Sequence, residues 1–142
     1  MRKSAATAAA MMVLGVLVAP AQAQAAAYPT STFSATGSGG RTSGGFIWYN
    51  RSVGVQGSVT DLADGWEGTT VHFDFFVTGP TGARVWADAD SRTASDADRS
   101  FNFTQDPAAA PTPLSQAFTE IYVQVCSSIE ADCGEGKWFK RP

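Results

Sequence analysis

Beyond its first 27 residues this chain has little of what most chemistry requires. It holds a single histidine, His72, and two cysteines, Cys126 and Cys133. One histidine limits a nucleophile–base–acid arrangement to one place. There the nearest acid, Asp74, lies two residues along the same strand, about 6.5–7 Å away and too far for a directly oriented pair. There is no Gly-x-Ser-x-Gly elbow, no phosphate-cradling glycine loop and no His-Glu-x-x-His helix. No apolar run after the first 27 residues is long enough to cross a bilayer. No amphipathic helical segment exceeds about two turns of the usual 3.6-residue repeat. Basic residues are also scarce, ten against thirteen acidic ones. Nucleic acid and anionic membranes both call for basic patches, so neither is expected as a partner.

The first residues read as an export signal. A basic Met1-Arg2-Lys3 start leads into a short apolar core, Met11 to Val18, then Pro20 and small-residue cleavage patterns such as Ala21-Gln22-Ala23. The sequence predicts a secretory signal over residues 1–27, with a mature chain starting between Gln24 and Tyr28 and a secreted, extracellular location. Loss of Arg2 and Lys3 leaves eight basic against thirteen acidic residues, a formal charge of −5. In an exported protein the pair Cys126 and Cys133 reads as a disulfide closing a loop of about eight residues, stabilising by about 2–3 kcal/mol. A metal or redox pair is disfavoured, with no neighbouring histidine and no Cys-x-x-Cys.

The sharpest change of composition falls at Phe46. Residues 28–45 are Ser/Thr/Gly-rich and predict a flexible N-terminal arm, since such chains bury too little to offset the entropy of ordering. Its only large side chains, Tyr28, Phe33 and Arg41, are the kinds that anchor interfaces and are the candidate partner-binding residues. From Phe46 onward, apolar residues recur with period two. Val53, Val55 and Val59 share a face, with Gly57 where another apolar residue would fall. Val71, Phe73, Phe75 and Val77 form the clearest core strand, with His72, Asp74 and Phe76 on its opposite face. A short return strand follows at 83–87, then Phe101 and Phe103, then Ile121, Val123 and Val125, then a last strand from Lys137. Turn signals separate about seven such strands, which predicts an all-β, small antiparallel β-sandwich over 46–142, with a small closed barrel as the alternative.

Other candidate sites have plainer explanations. The acidic run from Asp88 to Asp98 lacks the glycine of a calcium loop, and Arg92 occupies a ligand position, so a solvated hairpin tip is expected and no metal. Asp61, Asp64, Glu67 and Asp74 show no spacing that selects a glycosidase pair. The sequon at Asn50 overlaps a strand junction and that at Asn102 a strand, so both read as chance matches. Trp66 and Trp86 are the tryptophans expected to be exposed, and suit sugars and proteins equally. No cofactor and no catalytic residue is expected.

The block Trp48-Tyr49-Asn50-Arg51-Ser52-Val53, the β-rich body with one late cysteine pair, the short Lys137-to-Pro142 end and the arm after an export signal resemble the adaptor subunits of actinobacterial umbrella toxin particles. In these secreted antibacterial assemblies a polymorphic toxin carries a repeat-built stalk and ring, and small β-sandwich adaptors bridge the repeats to lectin subunits. The resemblance spans roughly residues 28–142. It implies a non-catalytic connector, with the arm before Phe46 in a cleft on the lectin subunit and the sandwich against the repeat-containing toxin subunit. The alternatives are a secreted protease or glycosidase inhibitor and a small carbohydrate-binding module.

Overall fold

The structure is a computed structural model and describes residues 27–62, 67–112, 114–129 and 132–142. The expected export signal lies outside these residues except for Ala27, and so do Asp64 and Trp66. Among the described residues eight strands follow in order: β1 (Thr30–Gly37), β2 (Gly40–Trp48), β3 (Val53–Asp61), β4 (Thr69–Thr78), β5 (Arg84–Ala94), β6 (Asp98–Gln105), β7 (Phe118–Ser127) and β8 (Lys137–Lys140). A 3-10 turn at Pro107–Ala109 is capped by the Asp106 carboxylate, which accepts from the Ala108 amide. The strands form two four-stranded sheets, β1-β2-β3-β6 and β5-β4-β7-β8, with every pairing antiparallel. The expected sandwich is therefore the architecture.

The alternating residues face one another across the two sheets. Val53, Val55 and Val59 meet Val71, Phe73, Phe75, Ile121, Val123 and Val125, all fully buried. Each such side chain contributes about 1.5–3 kcal/mol by leaving water. Cys126 and Cys133 form the expected disulfide, tying the end of β7 to the segment before β8.

The arm expected over 28–45 is not separate from this core, because residues 30–37 and 40–48 are its first hairpin. Phe33 is 3 % exposed and touches Phe46, Phe73, Phe101 and Phe139 at centroid distances of 4.6–6.5 Å. The reason is visible in the alternation. Phe33 and Ala35 point inward, while Thr30, Thr32, Ser34 and Thr36 point to solvent. Only two inward positions of β1 carry large or apolar side chains, so its mean composition resembles a linker, although threonine is a good strand former. The folded domain thus begins at Thr30 rather than Phe46. Two glycines make the room. Gly44 and Gly57 are register partners, and a Cβ on Gly44 would lie 2.8 Å from the Phe33 ring while one on Gly57 would lie 3.1 Å from the Phe101 ring.

The acidic run is likewise not a hairpin tip. β5 continues through Ala94, and only residues 95–97 turn, with Asp96 at a positive φ of 62°. This strand and β6 close one side of the sandwich. Asp88 accepts from Gln105, the Arg92 guanidinium lies 4.1 Å from the Phe103 centroid, and Arg99 donates to the Thr93 carbonyl. At the other end of the chain Arg141 donates to the carbonyls of Phe118 and Tyr49, both at 2.8 Å, and binds the last residues to both sheets. Burial pushes its guanidinium pKa down, as expected where no carboxylate offsets the loss of water.

Candidate functional site

The outer face of the second sheet carries a cluster that no core requirement explains. Phe76 of β4, Trp86 of β5, Tyr122 of β7 and Trp138 of β8 all sit in the outward register. Phe76 and Trp138 ring centroids are 5.0 Å apart, and those of Tyr122 and Trp138 are 4.8 Å apart. Trp86 and Trp138 remain 51 % and 43 % exposed. Large aromatics left half in water on a sheet face are a recognised mark of a binding surface.

Two β-bulges build this face. On the β5 side the register slips at Phe75/Phe76, leaving Ala87 as the extra residue. On the β7 side it slips at Phe76/Val77, leaving Thr119 extra. Each insertion turns the residues beyond it over. Trp86 therefore faces outward beside Phe76, and Asp88 turns inward to meet Gln105. Glu120 faces outward, and Phe118 is fully buried.

Charges frame the rings. The Arg84 guanidinium stands 3.6 Å from the Trp138 centroid and 6.0 Å from that of Phe76, close enough for cation–π attraction. Arg84 also pairs with Glu120, and Lys140 Nζ lies 3.5 Å from the second oxygen of that carboxylate. The hydrogen bond from Arg84 holds the Glu120 carboxyl below its ordinary pKa, and Glu120 in turn raises that of Arg84. Trp86 Nε1 donates to Asp74 Oδ1 at 3.1 Å, fixing the indole along the sheet.

Next to Trp86 an open recess of about 330 Å³ is lined by His72, Asp74, Ala89, Asp90, Ser91, Gln124, Cys126 and Cys133. His72 lies between Ser91 and Gln124 in the strand register. Among the described residues no hydrogen bond joins His72 to Ser91 or Asp74, and one Asp74 oxygen is taken by Trp86. The described residues also contain no group of three or more His, Cys, Asp or Glu placed to hold a metal ion. Asp61, once a candidate acid, accepts from the Thr69 hydroxyl and the Asp96 amide.

No family profile, curated protein or solved structure matches this chain.

The three residues proposed as arm anchors do not come together. Phe33 is in the core and Arg41 lies on the exposed face of β2. Tyr28 is half exposed, edge-on to Tyr49 with centroids 4.9 Å apart. Of the two tryptophans expected at the surface, Trp86 is there and Trp66 lies outside the described residues. Phe76, Tyr122 and Trp138 were missed. Their signal was an aromatic at the polar phase of an alternating strand: Phe76 with His72 and Asp74, and Tyr122 between Ile121 and Val123.

The outer face of the first sheet is a chemical opposite. Rows of small polar residues cross it, among them Ser34, Ser43, Ser58 and Ser100 in adjacent registers. The sandwich thus presents two dissimilar surfaces on its two sides.

Proposed function

We propose that this chain is a secreted, non-catalytic adaptor that joins two other proteins, in the manner of the adaptor subunits it resembles. The observation that supports this most is the half-exposed Phe76–Trp86–Tyr122–Trp138 cluster with its Arg84–Glu120–Lys140 frame. Tryptophan, tyrosine and arginine carry most of the energy of protein interfaces. In this reading the cluster meets the repeat-containing toxin subunit, and the first-sheet side serves the lectin subunit. Residues 30–45 act there as part of a sheet, not as a free arm.

The test is capture of partners from the culture medium of the producer by the tagged mature protein. Wild type should retain a repeat-containing protein together with a lectin. Trp138→Ala should weaken the first capture by about thirtyfold or more, the size of an interface hot spot, without affecting the second. Equal retention of the repeat protein by the variant would remove this face from the interface.

A second reading has one observation in its favour. The exposed Trp86 indole lies beside a recess with carboxylate, amide, imidazole and hydroxyl groups, the combination that binds a sugar ring by its apolar face and its hydroxyls. Retention on immobilised polysaccharide that is lost in Trp86→Ala would favour a carbohydrate-binding module over the adaptor.

A further inference from the structure

The two lateral sides of the sandwich are finished differently. The β5/β6 side is held shut by Asp88–Gln105, Arg92 over Phe103 and Arg99 on Thr93. On the opposite side β1 forms the edge of the first sheet, across from β8, whose Phe139 ring packs on Phe33 at 6.2 Å. Exposed edges are normally blunted by charge, proline or a bulge. β8 has Lys137 and Lys140. β1 has none of these devices: Thr-Ser-Thr-Phe-Ser-Ala-Thr-Gly is uncharged, lacks proline and keeps one unbroken register with β2.

The direction of its free backbone groups follows from the register. The Trp48 amide donates to the Pro29 carbonyl, so Pro29/Trp48 is a hydrogen-bonded pair, and such pairs recur at every second residue. Ser31, Phe33 and Ala35 therefore spend their amides and carbonyls on β2. Those of Thr30, Thr32 and Ser34 point away from it. All three residues are exposed, and among the described residues none of these groups has a partner. Near Thr36 the edge is covered, because Gly134 packs tightly against Thr36 and Gly37.

We infer that the β1 edge from Thr30 to Ser34 is a strand-addition site that takes an extended, acidic segment of another protein as a ninth strand. Main-chain pairing fixes the occupant as an extended polypeptide. Charge selects an acidic one. Residues 27–48 hold Arg41 and no acidic residue, and Lys137 of β8, in the same inward register as Phe139, adds a second cation on this side. Glu120 and Lys140 pair with each other on the outer face of the second sheet and do not bear on this edge. A second copy would bring the same cations to its own β1, so like charges oppose self-pairing. The site uses none of the aromatic cluster and stands whether that cluster meets protein or sugar.

The test uses the mature ¹⁵N-labelled protein and a blocked eight-residue peptide alternating valine and aspartate, with its lysine counterpart as control. The aspartate peptide should give saturable shifts at the Thr30, Thr32 and Ser34 amides. The lysine peptide should bind about tenfold more weakly or less. Thr32→Pro should abolish the effect while leaving thermal unfolding nearly unchanged, because the amide it removes does not serve the β1–β2 ladder. Ser34→Pro provides the same test should Thr32→Pro fail to fold. Absence of shifts on β1 at millimolar peptide, or shifts that persist in the folded proline variant, would overturn the site. Concentration-dependent shifts at the same amides without peptide would overturn the choice of a foreign strand in favour of a second copy. Trp138→Ala should bind the peptide like wild type, so failure here is separable from failure of the adaptor reading.

Discussion

Phe33 is where residue chemistry decides between an arm and a strand. Its ring is buried among four other phenylalanines, so Phe33→Ala removes an aromatic from a dense core and leaves a cavity. The expected loss is about 3–5 kcal/mol in urea unfolding, a large part of the stability of a domain this size. A substitution in a free arm would leave the midpoint unmoved. Gly44 makes the complementary prediction. A methyl there meets the Gln56 carbonyl and the Phe33 ring, and Gly44→Ala should destabilise by about 1–3 kcal/mol through overpacking. Glu120 adds a pH dependence. Its folded pKa is depressed, so the unfolded state holds the proton more tightly. The contribution is fully present above the ordinary carboxylate range near 4.3–4.5 and is lost as pH falls through the folded value. Denaturant midpoints of wild type should fall in that acid window, and Glu120→Gln should show a flatter profile there.

At the scale of strands, the core was legible in the sequence and the surface was not. Alternation identified the inward residues of β3, β4, β6 and β7 because large apolar side chains there stand against polar neighbours. β1 escaped because its inward phase is Ser31, Phe33 and Ala35, one large residue in three, and hydroxyl side chains fill the rest. Asp88, Asp90 and Arg92 read as a loop in the sequence, which cuts the predicted strand to residues 83–87 where β5 runs on to Ala94. They are accommodated by pairing: Asp88 with Gln105, and Asp90 with Arg92. The two bulges cannot be read from period two at all, since each is a break in it, and they determine which way Trp86 and Glu120 point. Deleting Ala87 tests this. Without the extra residue Asp88 and Trp86 become neighbours opposite Phe75 and Phe76, so plain alternation keeps Asp88 inward and the Trp86 indole outward. Indole fluorescence and iodide quenching should stay at wild-type levels. A blue shift with reduced quenching would mean that Ala87 is not the inserted residue and that the register closes elsewhere.

For the whole molecule, the consequence is a body whose two proposed binding features lie apart: an aromatic face on the second sheet and an unguarded edge on the first. Side chains on opposite sheets with no shared partner act additively in the usual case. A connector built this way needs no conformational change to hold two proteins at once. Its core, packed around Phe33, Phe46, Phe73 and Phe139, is a rigid spacer. The prediction concerns coupling. Titrating one captured partner in the presence of saturating amounts of the other should leave its Kd unchanged within about twofold, and by reciprocity the reverse titration should agree. The Trp138→Ala/Thr32→Pro double variant should lose each partner to the same extent as the corresponding single variant. A coupling of tenfold or more, about 1.4 kcal/mol, would show that the partners touch each other or that the sandwich transmits strain between its sheets. The molecule would then be part of a shared interface, and its two sides could not be assigned to separate partners.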